Sequence, residues 1–110
     1  MARTIMMVFT NPRSAEQEAE YNAWYNQVHL KELLDVPGVV AATRYRVAEG
    51  AGTTEPSHRY VALYEVEGEP AAVFGALATR TADMSMSPAL DTEGAQVVFW
   101  EAIDGGSLSR

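Results

Sequence analysis

The stretch "YNAWYNQVHLKELLDVPGVVAATRY", residues 21–45, decides the fold because it places a helix, a stop signal and a strand in immediate succession. Apolar residues recur through its first part at helical spacing, which predicts a helix that ends near Leu34. Pro37 and Gly38 follow directly and stop that helix. The next run, "VVAATRYRV" at residues 39–47, predicts the second strand of a sheet.

The elements on either side of this stretch complete one recognisable order. Residues 3–10, "RTIMMVFT", predict the first strand, and residues 58–66, "HRYVALYEV", predict a third strand that pairs with the second as a hairpin. A second helix is expected to start at Pro70, and residues 95–103 predict the last strand. The order β-α-β-β-α-β indicates an α+β, ferredoxin-like protomer with an antiparallel four-stranded sheet.

The length of 110 residues suits one domain. We expect the ferredoxin-like domain to cover residues 1–104 and residues 105–110, "GGSLSR", to form a mobile tail.

Composition and charge limit the partners that the chain is expected to have. The net charge is -7 and the basic residues are scattered, so we expect neither a nucleic-acid partner nor an anionic membrane surface. The sequence has no cysteine, no signal-peptide pattern and no apolar run of about 20 residues. These features favour a cytoplasmic protein.

The strands carry apolar residues on both of their faces, which indicates a partner for the sheet. Ile5, Met7 and Phe9 alternate with Met6 and Val8 in the first strand, and the last strand repeats this pattern. Two helices can cover one face of the sheet only, and an uncovered face usually alternates to polar residues. We therefore expect a homodimer in which two sheets pack face to face.

Aromatic residues cluster on one side of the first helix. On a helical wheel Tyr21, Trp24, Tyr25 and Val28 share a broad face, with His29 at its edge. One interpretation is that this face forms the wall of a small pocket, because such pockets are mostly apolar with a few converging polar groups. The other interpretation is an ordinary packed core with a helix-end histidine.

The same stretch resembles a known family. The recurrent pattern there is a Trp-Tyr pair, a histidine, the run E-L-L-x-x-P-G-V, and a strand with an Arg-Tyr or Arg-Phe pair. Here the pattern is carried by Trp24, Tyr25, His29, Glu32, Leu33, Leu34, Pro37, Gly38, Val39, Arg44 and Tyr45. The chain is similar to the EthD-like proteins of the dimeric α/β-barrel superfamily. That resemblance implies a ferredoxin-like protomer, a dimer joined through its sheets, and a cavity near His29.

Two functions remain open at this point. Relatives in that superfamily include polyketide cyclases, cofactor-free monooxygenases and haem-degrading enzymes. One hypothesis is a cofactor-independent enzyme, of the cyclase, isomerase or monooxygenase kind, that transfers a proton on a small hydrophobic or aromatic substrate. The alternative is a protein that binds or carries such a ligand without catalysis.

The candidate site follows from the first hypothesis. His29 is the predicted general base, because imidazole titrates near neutral pH, and Tyr25 is predicted to assist it. Glu32, three residues on, could orient the ring. Neither a metal nor a cofactor is expected, since His29 and His58 match no ligand spacing and no phosphate-binding glycine pattern occurs. The predicted substrate-binding residues are Tyr21, Trp24, Val28, Tyr60 and Trp100.

Overall fold

Four antiparallel strands form one sheet, and helices cover one of its faces, in the computed structural model, which describes residues 3–110. The strands are β1 (Thr4–Thr10), β2 (Val39–Arg46), β3 (Tyr60–Val66) and β4 (Gln96–Glu101). The helices are α1 (Glu18–Trp24), α2 (Leu30–Leu34) and α3 (Pro70–Thr81).

The strand order in the sheet is β2-β3-β1-β4, and every neighbouring pair is antiparallel. The predicted α+β, ferredoxin-like order is therefore confirmed, and so is the β2–β3 hairpin. The division into a domain at residues 1–104 and a mobile tail stays a prediction, and the first two residues of that domain lie outside the described part of the chain. No helix among residues 3–110 has the length and apolar character needed to cross a membrane.

The first helical segment, residues 15–34, is not a uniform α-helix. It begins with a 3₁₀ turn at Ala15–Gln17, continues as α1, widens into a π-helical turn at Tyr25–His29, and ends as α2. The widened turn at Tyr25–His29 is a feature that occurs often at functional sites.

The hydrophobic core lies between the helices and one face of the sheet. Strand residues alternate in direction, so Met6 of β1 and Tyr64 of β3 point to this face and are fully buried. Tyr21, Tyr25 and Leu33 of the first helical segment pack against them. This layer forms the floor on which the candidate site is built.

The opposite sheet face carries apolar side chains, and none of the helices within residues 3–110 covers it. We call it the open sheet face. Its members come from all four strands and include Ile5, Met7, Phe9, Tyr45, Val61, Leu63, Val98 and Trp100. Tyr45 and Trp100 are more than half exposed, at 52% and 57%. A contiguous apolar surface of this kind usually marks an interaction site.

Gly38, which links α2 to β2, occupies a position that only glycine fits. Its φ is +97°, and an added Cβ would lie 2.7 Å from Val73 Cγ2 and 2.8 Å from the Glu67 carbonyl oxygen. We expect Gly38→Ala to lower the free energy of unfolding by about 2 to 4 kcal/mol, because backbone strain and overpacking add. Urea denaturation measures this loss. Gly50→Ala is the control. Its φ is +78°, but apart from its chain neighbours no atom of residues 3–110 lies within 4 Å of an added Cβ, so this variant bears the backbone strain alone. Equal losses in the two variants would contradict the overpacking argument.

Candidate functional site

A cavity of about 270 Å³ opens between the helix-covered sheet face, the first helical segment and the chain after α3. Most of its wall is aliphatic or thioether: Val8, Leu33, Leu77, Met84, Met86, Leu90, Ala95 and Val97. The polar lining residues are Thr10, Tyr25, His29, Tyr64, Thr81 and Thr92. Such a mainly apolar cleft with few polar groups is typical of a small-molecule site.

The π turn brings His29 into this wall. The Leu30 N–H donates to the Tyr25 carbonyl, five residues back, which widens the turn. In an α-helix, residues five apart point about 140° away from each other. Here the Trp24 and His29 rings stack instead, with centroids 4.6 Å apart and planes tilted by 21°. The imidazole is buried, at 9% exposure, and its plane is nearly perpendicular to the Tyr25 ring.

Glu32 fixes the orientation of the imidazole. His29 Nδ1 lies 3.1 Å from Glu32 Oε1, within hydrogen-bond distance. A carboxylate only accepts, so Nδ1 carries the hydrogen and donates it. The tautomer that results has a lone pair on Nε2. No residue in the described range 3–110 forms a hydrogen bond with that nitrogen.

Burial favours the neutral form of His29. Removal from water penalises the imidazolium and lowers the pKa of His29 below its ordinary value of 6.5, while the hydrogen bond to Glu32 acts in the opposite direction. At neutral pH the ring is therefore uncharged, and Nε2 is ready to accept a proton.

Two tyrosine hydroxyls meet in the cavity wall beside the imidazole. The hydroxyl oxygens of Tyr25 and Tyr64 lie 3.3 Å apart, and both residues line the cavity. Burial raises the pKa of Tyr25 to about 12, and it raises the pKa of Tyr64 as well. Both phenols stay neutral at physiological pH and act as hydrogen-bond donors.

Arg44 supports the aromatic cluster from outside the cavity. Its guanidinium carbon lies 4.4 Å from the centroid of the Tyr25 ring and somewhat further from the rings of Tyr21 and Tyr60. It donates hydrogen bonds to the side-chain oxygens of Asn26 at 2.7 Å and Asn22 at 2.8 Å. These contacts hold a positive charge behind Tyr25, at a distance typical of cation–π interactions.

The segment after α3 is held against the first helical segment at Ser85. Trp24 Nε1 donates to the Ser85 carbonyl at 2.6 Å, and the Ser85 N–H donates to Glu32 Oε2, also at 2.6 Å. Met84 and Met86 flank this residue and cover one side of the cavity. Glu32 thus bonds the imidazole with one oxygen and the covering segment with the other.

The structure gathers some of the predicted site residues and separates others. Tyr25 and His29 line the cavity, and Trp24 stacks on His29 from behind. Tyr21 is fully buried one layer back, where its hydroxyl bonds the Thr10 side chain. Tyr60 lies further away on the same sheet face, and its hydroxyl donates to Glu18.

Val28 and Trp100 line no part of this cavity. Val28 is 37% exposed on the solvent side of the π turn. Trp100 follows Phe99 in β4, and because successive strand residues point to opposite faces, it lies on the open sheet face. Its place beside Ile5 on that face puts the whole sheet between the indole and His29.

Tyr64, which lines the cavity, and Arg44, which packs behind Tyr25, are the two residues of the candidate site that the site prediction left out. Alternation in β3 puts Tyr64 on the same face as Ala62, which is buried, and that pattern was the available signal. Arg44 entered only as part of the family pattern, and nothing in its sequence context indicated that it packs on the tyrosine rings.

Solved structures of other proteins share this fold. An ethyl tert-butyl ether D (EthD) family protein from Bacillus halodurans matches with a TM-score of 0.63, 13% identity, and coverage of 94% of this chain and 100% of its own. An EthD-like protein from Ralstonia eutropha matches with a TM-score of 0.51, 14% identity, and coverage of 87% and 90%. The chain has the fold of the EthD-like proteins. The resemblance predicted from residues 21–45 is confirmed at that level.

The EthD-like fold extends to proteins described by other activities. A heme-degrading protein from Mycobacterium tuberculosis matches with a TM-score of 0.57, 16% identity, and coverage of 94% of each chain. No family model matches the chain, and no curated protein matches it either. Identities this low establish the EthD-like fold, while the chemistry has to be argued from the site itself.

Proposed function

We propose that the chain is a cofactor-independent enzyme that transfers a proton on a small hydrophobic or aromatic substrate held in the cavity. One observation carries this proposal. A buried neutral imidazole, oriented by Glu32, lies in a mainly apolar wall together with two neutral tyrosine side chains. A positioned base of this kind, with a pKa lowered by burial so that it is unprotonated at neutral pH, is what general-base catalysis requires.

Each residue then has a defined role. His29 Nε2 removes a proton from an acidic carbon of the substrate, and Glu32 stabilises the imidazolium that forms. Tyr25 donates a hydrogen bond to the oxygen on which negative charge develops. Trp24 supports the ring by stacking on it. The reaction class is proton abstraction next to an electron-withdrawing group, as in an isomerisation or a cyclisation.

The size of the cavity limits the substrate. A dry cavity of about 150 Å³ holds one benzene molecule. The cavity here is about 270 Å³. It therefore suits a molecule of about one to two rings, with bulkier parts extending outward past Met86 and Val97, which are both partly exposed.

The proposed assembly is a homodimer through the open sheet face. Support comes from the apolar side chains on that face, which an isolated chain would leave in contact with water. The cytoplasmic location expected from the sequence stays a prediction.

The pH dependence of catalysis tests the proposed function on the unmodified protein. The probe is 5-nitrobenzisoxazole, a two-ring compound that opens with a colour change when a base removes its ring proton. We expect the second-order rate constant to rise with pH, pass its midpoint below pH 6.5, and reach a plateau, because only the neutral His29 accepts a proton.

The same burial makes the folded state less stable in acid. The unfolded chain binds a proton on His29 at a higher pH than the folded chain does, so stability falls as the pH drops from 6.5 through the lowered pKa. Circular dichroism at each pH is therefore the control that distinguishes loss of activity by protonation of His29 from loss of activity by unfolding. A second-order rate constant that rises in proportion to the hydroxide concentration, without a plateau, would exclude His29 as the base. Probe binding without turnover would identify the protein as a ligand carrier.

A further inference from the structure

We propose that Tyr64 is a second substrate-contacting residue, which together with Tyr25 forms a two-hydroxyl site for a substrate oxyanion. The substrates would then be compounds that lose a proton to give an enolate or phenolate, such as enolisable aryl ketones. This inference rests on the proposed function. It specifies which group of the substrate the cavity recognises, namely the oxygen that becomes negatively charged.

The hydroxyl pair has one hydrogen-bond donor that the bond between the two tyrosines does not use. Each phenol carries one hydrogen, and the bond between Tyr25 and Tyr64 uses only one of the two. Within residues 3–110 neither hydroxyl has another hydrogen-bond partner. Both residues line the cavity, although Tyr25 is 1% exposed and Tyr64 is fully buried. An acceptor must therefore move in against the pair to receive the second hydrogen. A ligand oxygen that displaces the long 3.3 Å contact would receive both hydrogens.

The base and the hydroxyl pair are close enough to act on one small molecule. The Tyr25 and His29 ring centroids lie 5.0 Å apart, and the planes are nearly perpendicular, at 84°. A carbonyl oxygen placed at the hydroxyl pair would thus bring its neighbouring carbon toward the imidazole. Removal of an α-proton requires the base and the oxyanion donors to lie within reach of one substrate molecule, and the contact between the two rings satisfies that condition.

The proposed step is balanced without any further reactant. The C–H bond breaks, its electron pair forms a carbon–carbon double bond, and the carbonyl π electrons move to the oxygen. The proton goes to His29 Nε2, and the oxygen accepts hydrogen bonds from Tyr25 and Tyr64. Return of the proton to a different carbon gives an isomer and restores the neutral imidazole.

The surroundings of the pair favour negative charge on a bound oxygen. The Arg44 guanidinium lies 4.4 Å from the centre of the Tyr25 ring and lines no part of the cavity. Its charge therefore acts through the ring and draws electron density from the phenol. Leu33, Leu77 and Val8 form apolar walls around the site, and apolar surroundings strengthen each hydrogen bond to an anion.

Ligand affinity separates this role from a structural one. The probes are 4-nitrophenolate at pH 9, which carries the oxyanion, and 4-nitrotoluene, which has nearly the same shape and no charge. Tyr64→Phe is expected to weaken 4-nitrophenolate binding by about 10-fold or more, the usual effect of removing a hydrogen bond to a charged group. Its affinity for 4-nitrotoluene should change by less than about threefold, because the ring and the cavity volume remain.

Tyr45→Phe is the matched control, since Tyr45 is exposed on the other face of the sheet. It should leave both affinities unchanged. Equal losses for the two ligands in Tyr64→Phe would assign the residue a packing role and overturn the inference. Failure of both ligands to bind the unmodified protein would overturn it too.

A measurement on the unmodified protein covers the case in which Tyr64→Phe fails to fold. At pH 9 it should bind 4-nitrophenolate more tightly than 4-nitrotoluene, and the reverse order would contradict the oxyanion site. The proposed function has its own readout. Suppose that the protein opens 5-nitrobenzisoxazole as expected and yet binds 4-nitrophenolate no more tightly than 4-nitrotoluene. That combination would exclude the oxyanion role of Tyr64 and leave His29 as the base.

Discussion

Replacement of His29 by glutamine is expected to slow the opening of 5-nitrobenzisoxazole by about 100- to 10,000-fold, the range that a positioned general base contributes. Glutamine is similar in length to histidine and can still donate a hydrogen bond to Glu32 through its amide. It cannot accept a proton at neutral pH. The substitution thus removes the base and leaves an amide that can reach Glu32, although the native contact is made by Nδ1, one atom closer to the main chain. Stopped-flow absorbance over a range of probe concentrations separates the chemical step from binding.

His58→Gln provides the matched control for this experiment. His58 is the other histidine of the chain, lies beside the start of β3, and lines no part of the cavity. Its Nε2 donates to the Gly94 carbonyl at 2.6 Å, a bond that glutamine can replace. We expect His58→Gln to turn over the probe at the rate of the unmodified protein. If His29→Gln does the same, His29 has no part in the mechanism and the cavity has to be reinterpreted as a binding site.

A charge in the middle of the open sheet face is expected to dissociate the proposed homodimer. Leu63 pairs with Met7 on one side and with Thr43 on the other, so it lies within this face rather than at its edge. A carboxylate buried there by a second sheet would have no partner, which costs several kcal/mol. Light scattering should give about twice 12.0 kDa for the unmodified protein and 12.0 kDa for Leu63→Asp.

Phe74→Asp is the control that tests whether the position of the new charge on the protein matters. Phe74 is half exposed on α3, on the side of the sheet that carries the helices. The same charge there should leave the mass unchanged. A mass of 12.0 kDa for the unmodified protein at micromolar concentration would exclude the dimer. Circular dichroism of Leu63→Asp distinguishes dissociation from unfolding.

The element order was predictable because local signals and the final fold agree. Pro37 with Gly38 and Glu69 with Pro70 mark helix boundaries that the structure keeps. The strands were found from runs of apolar residues, and those runs stay apolar whichever face is buried. For the same reason the sequence could not say which face of each strand lies beneath the helices. Trp100 was predicted to bind the substrate because the sequence does not show which strand face is covered by helices. In the structure it lies on the open sheet face.

The geometry of the site escaped prediction because of the π turn. A helical wheel assumes about 100° for every residue, so residues four apart drift by about 40° at each step. The buried residues Tyr21, Tyr25, His29 and Leu33 are four apart throughout. The widened turn takes up this drift and keeps them facing the sheet. With a uniform wheel, His29 is placed at the edge of the aromatic face, although its ring is buried in the cavity wall.

The two hydrogen bonds of Glu32 couple the orientation of the imidazole to the segment that covers the cavity. One carboxylate oxygen positions the imidazole, and the other holds the Ser85 N–H of the segment that covers the cavity. If that segment moved away to admit a ligand, the carboxylate would lose one bond, become hydrated, and hold the imidazole less firmly. The base would be correctly aimed only while Met84 and Met86 cover the ligand. Proton transfer would then be confined to the closed complex, and the empty, open protein would be a poor catalyst toward molecules that merely collide with it.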